Sequence, residues 1–420
     1  MSKSGKRRGL KALIIILIIV GCIGIIVGSF ALANYVTKKG LEKYVEGFEK
    51  VEYVSQLKPT KGDDGYWTFT TDNDLKVMQL TDVHIGAGCL SKNKDMWALN
   101  AVATMIKAEK PDLVIVTGDI AYPVPFSSGS FNNLRPTEIF ADMMENLGVY
   151  WTFTFGNHDT ELYSYYPRKE LTEFYEKGIA NNTYSYCLFQ RGYSGEELGY
   201  GNTIIKVNNT LDVTTQALVL LDSHSYIDKD YFGVLWKYDN LHQSQVDWYV
   251  NEIDKIKESN AVKGYDGVVK NMAFFHIPLV EYRDAYKYLL DNDEDEVASW
   301  FHENNGRVES DKTKNGVRTY SVYCGYHEDE FFEEGLTHGL QAVFCGHDHY
   351  NNFSINYKGI RLTYGYSVDY LAYPGIYKEH LQRGCTIITC KPDGSFEQEY
   401  SNYYSEEYEA VNKMAGNKIY

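Results

Sequence analysis

Hydrophobic and polar positions divide the chain into three regimes. Residues 13–33 carry no charge, and at 1.5 Å rise per residue such a run crosses a bilayer core of about 30 Å. Over 36–56, Leu41, Tyr44, Val45 and Phe48 recur at helical spacing. They predict a short amphipathic stalk helix that packs on the following domain or on the membrane surface. KPTKGDDG (58–65) has turn chemistry and reads as a linker. From Tyr66 onward, strand-like and helix-like segments alternate. WTFT (67–70) and LKVMQL (75–80) flank Thr71-Asp72-Asn73-Asp74 as an expected hairpin. Helices are expected over 96–110, stopped by Pro111, over 136–148, with Pro136 near the start and Gly148 at the end, and over 244–259. DLVIVTGD, VYWTFTFG, QALVLLDS, NMAFFHIP and LQAVFCG read as buried strands. That alternation implies a mainly parallel sheet with helices on its faces. Beyond residue 350, FSINYKGIRLTYG and CTIITCKPDGSFEQEY read as hairpins, the latter turning at Pro392-Asp393-Gly394, and predict a second, more antiparallel sheet. The acidic, irregular segment 291–335 reads as a lid or a solvated surface excursion.

Charge changes this picture in two ways. Lys3, Lys6, Arg7, Arg8 and Lys11 precede the apolar run, so they should stay cytoplasmic and leave the rest of the chain outside. The run exceeds a usual signal-peptide core, which favours an uncleaved single-pass anchor over cleavage after Ala31-Leu32-Ala33 and secretion. The net charge is −16, and those five basic residues leave −21 beyond them. Such a surface repels polyanions and argues against nucleic acid as substrate. The seven cysteines lack CxxC spacing. An exterior location permits disulfides, but a chain of 420 residues needs none, so buried free thiols are expected.

The candidate chemistry sits where strands end. LKVMQL runs into Asp82-x-His84, DLVIVT into Gly118-Asp119, and VYWTFTF into Gly156-Asn157-His158-Asp159. NMAFF runs into His276, and LQAVFC into Gly346-His347-Asp348-His349. Ligands bind beyond the carboxyl ends of strands in α/β sheets, so these five ends can share one crevice. Imidazole, carboxylate and amide donors suit Zn, Fe or Mn rather than an all-oxygen Ca site. The set is too large for one tetrahedral ion and fits two ions that share a carboxylate, a clamp for displacement at phosphorus.

The five blocks, in order across residues 75–350, resemble the calcineurin-like metallophosphoesterase superfamily. FFHIPLVEY (274–282) and GHDHYNNF (346–353) are similar to its branch related to purple acid phosphatases. The resemblance implies an α/β fold, a four-layer α/β/β/α sandwich with two mixed sheets, here preceded by one transmembrane helix. It implies that Asp82, His84 and His349 bind a first metal, that Asn157, His276 and His347 bind a second, and that Asp119 bridges them. Two divalent or trivalent ions (Mn, Fe or Zn) would be the cofactors. His158 would face the leaving group, oriented by Asp159, and a phosphate mono- or diester would be the substrate. His347 and His349, alternating along an extended segment, would serve different metals, with Asp348 turned away behind them. Tyr122 occupies the position at which purple acid phosphatases place an iron-binding tyrosine. Because His84 is also present, His84 is taken as the ligand, and Tyr122 as a supporting or substrate-facing residue. His224 and Asp222 read as structural, and His242, His302, His327, His338 and His380 as surface or structural. The resulting organisation is a cytoplasmic basic segment (1–12), an anchor (13–33), a stalk and linker (34–65), a catalytic domain (66–402) and a tail (403–420). The alternative is a catalytically silent, metal-stabilised binding or cell-envelope protein on the same fold.

Overall fold

A computed structural model of the chain describes residues 3–195, 197–227, 229–230, 233–291, 322–349, 351–373 and 383–417. His302, His380 and most of the expected 291–335 excursion lie outside these residues.

Two mixed sheets form the centre. The larger runs Thr60–Lys61, Trp67–Thr70, Gly199–Asn208, Thr214–Leu220, Asn271–Phe274, Leu340–Cys345, Ile360–Tyr364, Ser354–Tyr357, with Tyr193–Gly195 paired to Gly199–Asn208. The smaller runs Phe396–Asn402, Gly384–Cys390, Leu75–Leu80, Leu113–Thr117, Trp151–Thr154. Its last three strands are parallel, and Gly384–Cys390 joins them antiparallel to Leu75–Leu80.

Strand periodicity explains the layering. Alternate side chains of a strand leave opposite faces, and here both faces are apolar. Leu75, Val77, Leu113 and Ile115 of the smaller sheet meet Leu218, Leu220, Met272, Phe274, Ala342 and Phe344 of the larger one in a core between the sheets. Met78, Leu80, Val114 and Val116 face outward, under helices Lys92–Glu109 and Leu134–Leu147. Ala217, Val219, Ala273 and Val343 face the other way, under Gln243–Val262, Val280–Asp291 and Phe331–Thr337. Helices therefore flank both sheets, and the α/β class with two mixed sheets is as expected.

Four local expectations are corrected. Trp67–Thr70 and Leu75–Leu80 do not form a hairpin: the first pairs with Gly199–Asn208 and the second with Leu113–Thr117, in different sheets. Thr71–Asp74 is the crossing between them, held by Asp72 accepting from Thr210 N and Oγ1 at 2.9 and 2.5 Å. The two late hairpins do form, but they extend different sheets rather than building one of their own. The stalk is no separate helix. A single helix, Lys3–Val45, contains the apolar span and continues onto the domain, where Leu41 and Val45 are buried. Each fully buried aliphatic side chain contributes about 1.5–3 kcal/mol, which holds this half of the helix to the body. The terminal segment also packs as part of the domain. Tyr403, Tyr408 and Asn412 are buried, and Asn412 Oδ1 accepts from Asn100 Nδ2 at 2.7 Å and Thr104 Oγ1 at 3.1 Å on helix Lys92–Glu109. All seven cysteines are free, five of them buried.

Candidate metal centre

The ligand blocks converge from both sheets. Asp82 and His84 follow Leu75–Leu80, Asp119 follows Leu113–Thr117, and Asn157 follows Trp151–Thr154, all in the smaller sheet. His276 follows Asn271–Phe274, and His347 and His349 follow Leu340–Cys345, both in the larger sheet. His276 Nδ1–H donates across the gap to Thr117 O at 2.8 Å. This fixes its tautomer and leaves Nε2 turned into the site. Gly346 lets the sheets close: a Cβ there would sit 1.8 Å from Thr81 Oγ1 and 2.7 Å from Asp82 Oδ2.

One oxygen organises the centre. Asp119 Oδ2 lies 3.1 Å from His84 Nε2 and 3.2 Å from His276 Nε2. On the first side, Asp82, His84, Asp119 and His349 each offer a donor atom within 4.8 Å of the others, with His349 Nε2 at 3.2 Å from Asp82 Oδ1. On the second side, Asn157 Oδ1 lies 3.1 Å from His276 Nε2 and 3.0 Å from His347 Nδ1. The amide is oriented from behind. Asn157 Nδ2 donates to Tyr226 OH at 2.9 Å, and that hydroxyl donates to Glu161 Oε1 at 2.9 Å. All seven expected ligands thus meet, with Asp119 common to both groups.

The donor set fits two cations. Donors about 2.1 Å from a shared ion lie about 3 Å apart when their bonds are perpendicular, which is the spacing observed. Burial raises Asp119, yet His276 and His158 outweigh it and hold the carboxyl well below its usual range. Burial lowers His276, but Asp119 and Asp82 raise it to about 9. Burial keeps His347 neutral, and its Nε2 has no hydrogen-bond partner among the described residues. Anionic carboxylates and imidazoles gathered in a buried space call for positive charge.

His347 lies beside Asn157 and His349 beside Asp82, on opposite sides of the cluster, and this separation does not come from strand alternation. His347 takes a left-handed conformation (φ 75°), and Asp348 N donates to Gly346 O at 2.9 Å, so a tight turn separates the two rings. Asp348 accepts from Asn351 Nδ2 at 2.6 Å and braces that turn. Asp82, His84 and Asp119 are also left-handed, with φ between 51° and 56°, a conformation that costs non-glycine residues of order 1 kcal/mol or more.

The expected role of Asp159 is corrected. The short 3-10 turn His158–Thr160 drives its carboxylate inward, where Oδ2 accepts from Asp119 N and Gly156 N and Oδ1 accepts from Ala121 N, at 2.8–3.0 Å. It ties two ligand loops together and does not touch the His158 ring. The carboxylate beside that ring is Glu161, whose Oε1 is 2.8 Å from His158 Nδ1. His158 sits at the mouth, and its backbone N–H donates to Asp119 Oδ1 at 2.8 Å. Tyr122 lays its ring on His84 at 4.6 Å and meets His158 edge-on at 4.9 Å, and burial keeps the phenol protonated.

Sequence reasoning missed Asp369. Fully buried, it places Oδ1 3.3 Å from His84 Nδ1 and Oδ2 3.2 Å from His349 Nδ1, so one carboxylate orients both imidazoles of the first group. Its oxygens also accept from the backbone of Leu371, Ala372 and Tyr373 at 2.7 Å. Arg168 was missed too. It bonds Asp222 Oδ1 at 2.5 Å and Gly156 O at 3.0 Å, bracing the third block. His224 Nε2 meets Gln245 Oε1 at 2.9 Å, and its ring stacks on His242 at 4.0 Å, in a second group with Asp239 whose donor atoms lie within 4.8 Å of one another. Beside His347 and His349 lies a cavity of about 280 Å³ walled by Trp236, Tyr238, Tyr323 and Tyr373.

The family model for calcineurin-like phosphoesterases matches residues 75–351, the span that carries every block. The chain belongs to this family. Calcineurin-like phosphoesterases normally bind two metal ions, and the buried Asp/His cluster described above could hold them. The chain is 26% identical over 323 residues to probable inactive purple acid phosphatase 29 of Arabidopsis thaliana, covering 73% of this chain and 74% of that protein. It is also 26% identical to probable inactive purple acid phosphatase 14 of the same plant, with 73% of each chain covered. Phosphatase DCR2 of Saccharomyces cerevisiae is 27% identical over 68% of this chain and 46% of its own length.

Proposed function

We propose that this calcineurin-like phosphoesterase is a membrane-anchored dimetal hydrolase of phosphate mono- or diesters, with its catalytic domain outside the cytoplasm. The observation that carries the reading is Asp119 Oδ2, a single carboxylate oxygen within 3.2 Å of an imidazole from each group. Asp82, His84 and His349 would hold one ion, Asn157, His276 and His347 the other, and Asp119 both. The N/O donor set suits Mn, Fe or Zn. When bound, the ions supply charge neutralisation at the phosphoryl oxygens and activation of water near neutral pH.

The remaining work falls to side chains of this protein. His158 is part-exposed at the mouth, and Glu161 beside Nδ1 turns Nε2 outward, where it can donate a proton to the departing alkoxide. Asp159 and the His158 backbone N–H keep Asp119 in place, so the acid and the bridging carboxylate move as one unit. The basic residues before the apolar helix support an exterior domain, and the acidic surface disfavours nucleic acid as substrate.

A second reading is a silent, metal-stabilised binding protein on this fold. Two of the Arabidopsis relatives carry the word inactive in their names. The full-length protein in detergent, loaded with Mn²⁺, separates the two. Hydrolysis of p-nitrophenyl phosphate or its bis ester, falling about 10²–10⁴-fold in His158→Ala with metal content unchanged, is the expected result. The preferred ester sets the substrate class. No turnover of either ester with Mn²⁺, Fe²⁺ or Zn²⁺ would overturn the enzymatic reading.

A further inference from the structure

The apolar helix leaves the domain beside the mouth of the metal centre. Helix Lys3–Val45 runs parallel to helix Leu134–Leu147: Lys38 pairs with Glu138, and Val45 O accepts from Asn146 Nδ2 at 3.0 Å. Leu134–Leu147 begins at the end of the domain where the ligand loops lie, because it follows the loop that leaves Asp119. Traced backward, Lys3–Val45 therefore rises past that same end. Asn34, directly after residues 13–33, clasps two ligand-bearing loops there. Its Nδ2 donates to Gly129 O at 2.8 Å, and its Oδ1 accepts from Cys89 N at 2.7 Å. Cys89 lies five residues after His84, and Gly129 ten after Asp119.

Around this clasp, the ligand loops expose apolar side chains. Leu90, whose N–H donates to Ser128 O at 3.0 Å, is 55% exposed, and Phe126 is 96% exposed. Phe131 stacks on Tyr165, 64% exposed, in the loop that follows His158 and Asp159. Three ligand blocks thus contribute Leu, Phe and Tyr to one rim, the side chains that settle at the lipid–water boundary. The helix fixes what covers this rim. If residues 13–33 cross a bilayer, its surface lies within about one helical turn of Asn34, and the rim lies against it.

We infer that the mouth of the metal centre faces the membrane, with Leu90, Phe126 and Phe131 seated in the lipid interface, and that the substrate is a phosphate ester carried by a lipid of that bilayer. The assignment of substrate rests on the phosphoesterase reading; the orientation does not. An ester held at headgroup depth reaches the site without leaving the membrane, and a soluble ester must enter from the side.

The full-length chain in phosphatidylcholine proteoliposomes tests both parts. In a Cys22→Ser/Cys89→Ser background, Phe126→Cys and Leu211→Cys each carry an environment-sensitive fluorophore. Leu211 is 77% exposed, in the turn between Gly199–Asn208 and Thr214–Leu220 at the opposite end of the sheet. Doxyl-labelled lipid should quench the label at 126 several-fold more than that at 211. Equal or weaker quenching at 126 overturns the orientation. A Gly/Ser spacer of about 12 residues between Ala33 and Asn34, with about 20 Å of mean reach, tests the substrate. Hydrolysis of a bilayer phospholipid ester should fall several-fold while that of p-nitrophenyl esters is unchanged. Equal retention of both overturns the lipid assignment. Absence of all turnover in the parent overturns the phosphoesterase reading and with it the substrate, while quenching still decides the orientation.

Discussion

Asp369 is the residue whose replacement tests the centre most directly. Its two oxygens face Nδ1 of His84 and of His349 at 3.3 and 3.2 Å, so Asp369→Asn alters the support of two ligands in one step. Removing a carboxylate that orients a metal-bound imidazole weakens affinity by about 10–100-fold, or about 1.4–2.7 kcal/mol. With two imidazoles on one carboxylate, the upper end is expected at the first site and little change at the second. The substitution has a separate structural cost. Both oxygens also accept backbone N–H groups from Leu371, Ala372 and Tyr373, so either orientation of an asparagine amide sets its NH₂ against a donor. That should lower metal-free stability by about 1–3 kcal/mol. The two effects separate by method: competition with a chromophoric chelator at 10 °C reads affinity on folded protein, and urea unfolding in EDTA reads stability. A folded Asp369→Asn protein that binds both metal equivalents as tightly as the parent would refute the argument that this carboxylate orients the first group.

Two further outcomes follow from close packing and from burial. Gly346→Ala should weaken binding of both metal equivalents by at least about tenfold, since a Cβ 1.8 Å from Thr81 Oγ1 must displace Asp82 or the His347 turn; chelator competition measures it, and parental affinity would count against the stated geometry. Asp95 is fully buried, and burial raises its carboxyl to about 6 despite bonds from Gly86 N, Ala87 N and Ser91 Oγ. Its folded value exceeds the unfolded one, so the folded state holds this proton more tightly. The contribution to stability is full below about pH 4 and is lost as pH rises to about 6, by about 3 kcal/mol. Urea unfolding of metal-free protein at pH 4.5 and 7 should show a smaller decline in Asp95→Asn than in the parent; an unchanged decline would place the titration elsewhere.

Much of this site was legible because strands announce themselves by apolar runs and the residues that converge sit at their ends. Asp82, His84, Asp119, Asn157, His276, His347 and His349 each directly follow or closely follow such a run, and the fold brings their ends together. What escaped notice lacks that signature. Asp369 lies after Tyr364 in an irregular loop, and nothing local distinguishes it from any turn aspartate; its role depends on two histidines that precede it in sequence by 285 and 20 positions. Glu161 was eclipsed by Asp159, which is adjacent to His158 in sequence but turned inward by a 3-10 turn. The hairpin misread at 71–74 has the same origin: spacing reveals a turn, but only the packing of both faces shows that its two strands belong to different sheets.

The pairing of Gly384–Cys390 with Leu75–Leu80 bears on how the protein is made. The first strand of the smaller sheet, whose end carries Asp82 and His84, acquires its antiparallel neighbour only after about 300 further residues have been synthesised, a loop closure that is entropically slow. Until then Leu75–Leu80 presents an open, apolar edge of the kind that recruits other chains. A chain synthesised amino-terminus first carries this unpaired edge while the closing strand is still to be made. Biogenesis therefore has a vulnerable interval set by topology, and truncations as late as residue 383 should abolish folding even though Asp82 through His349 have already been made.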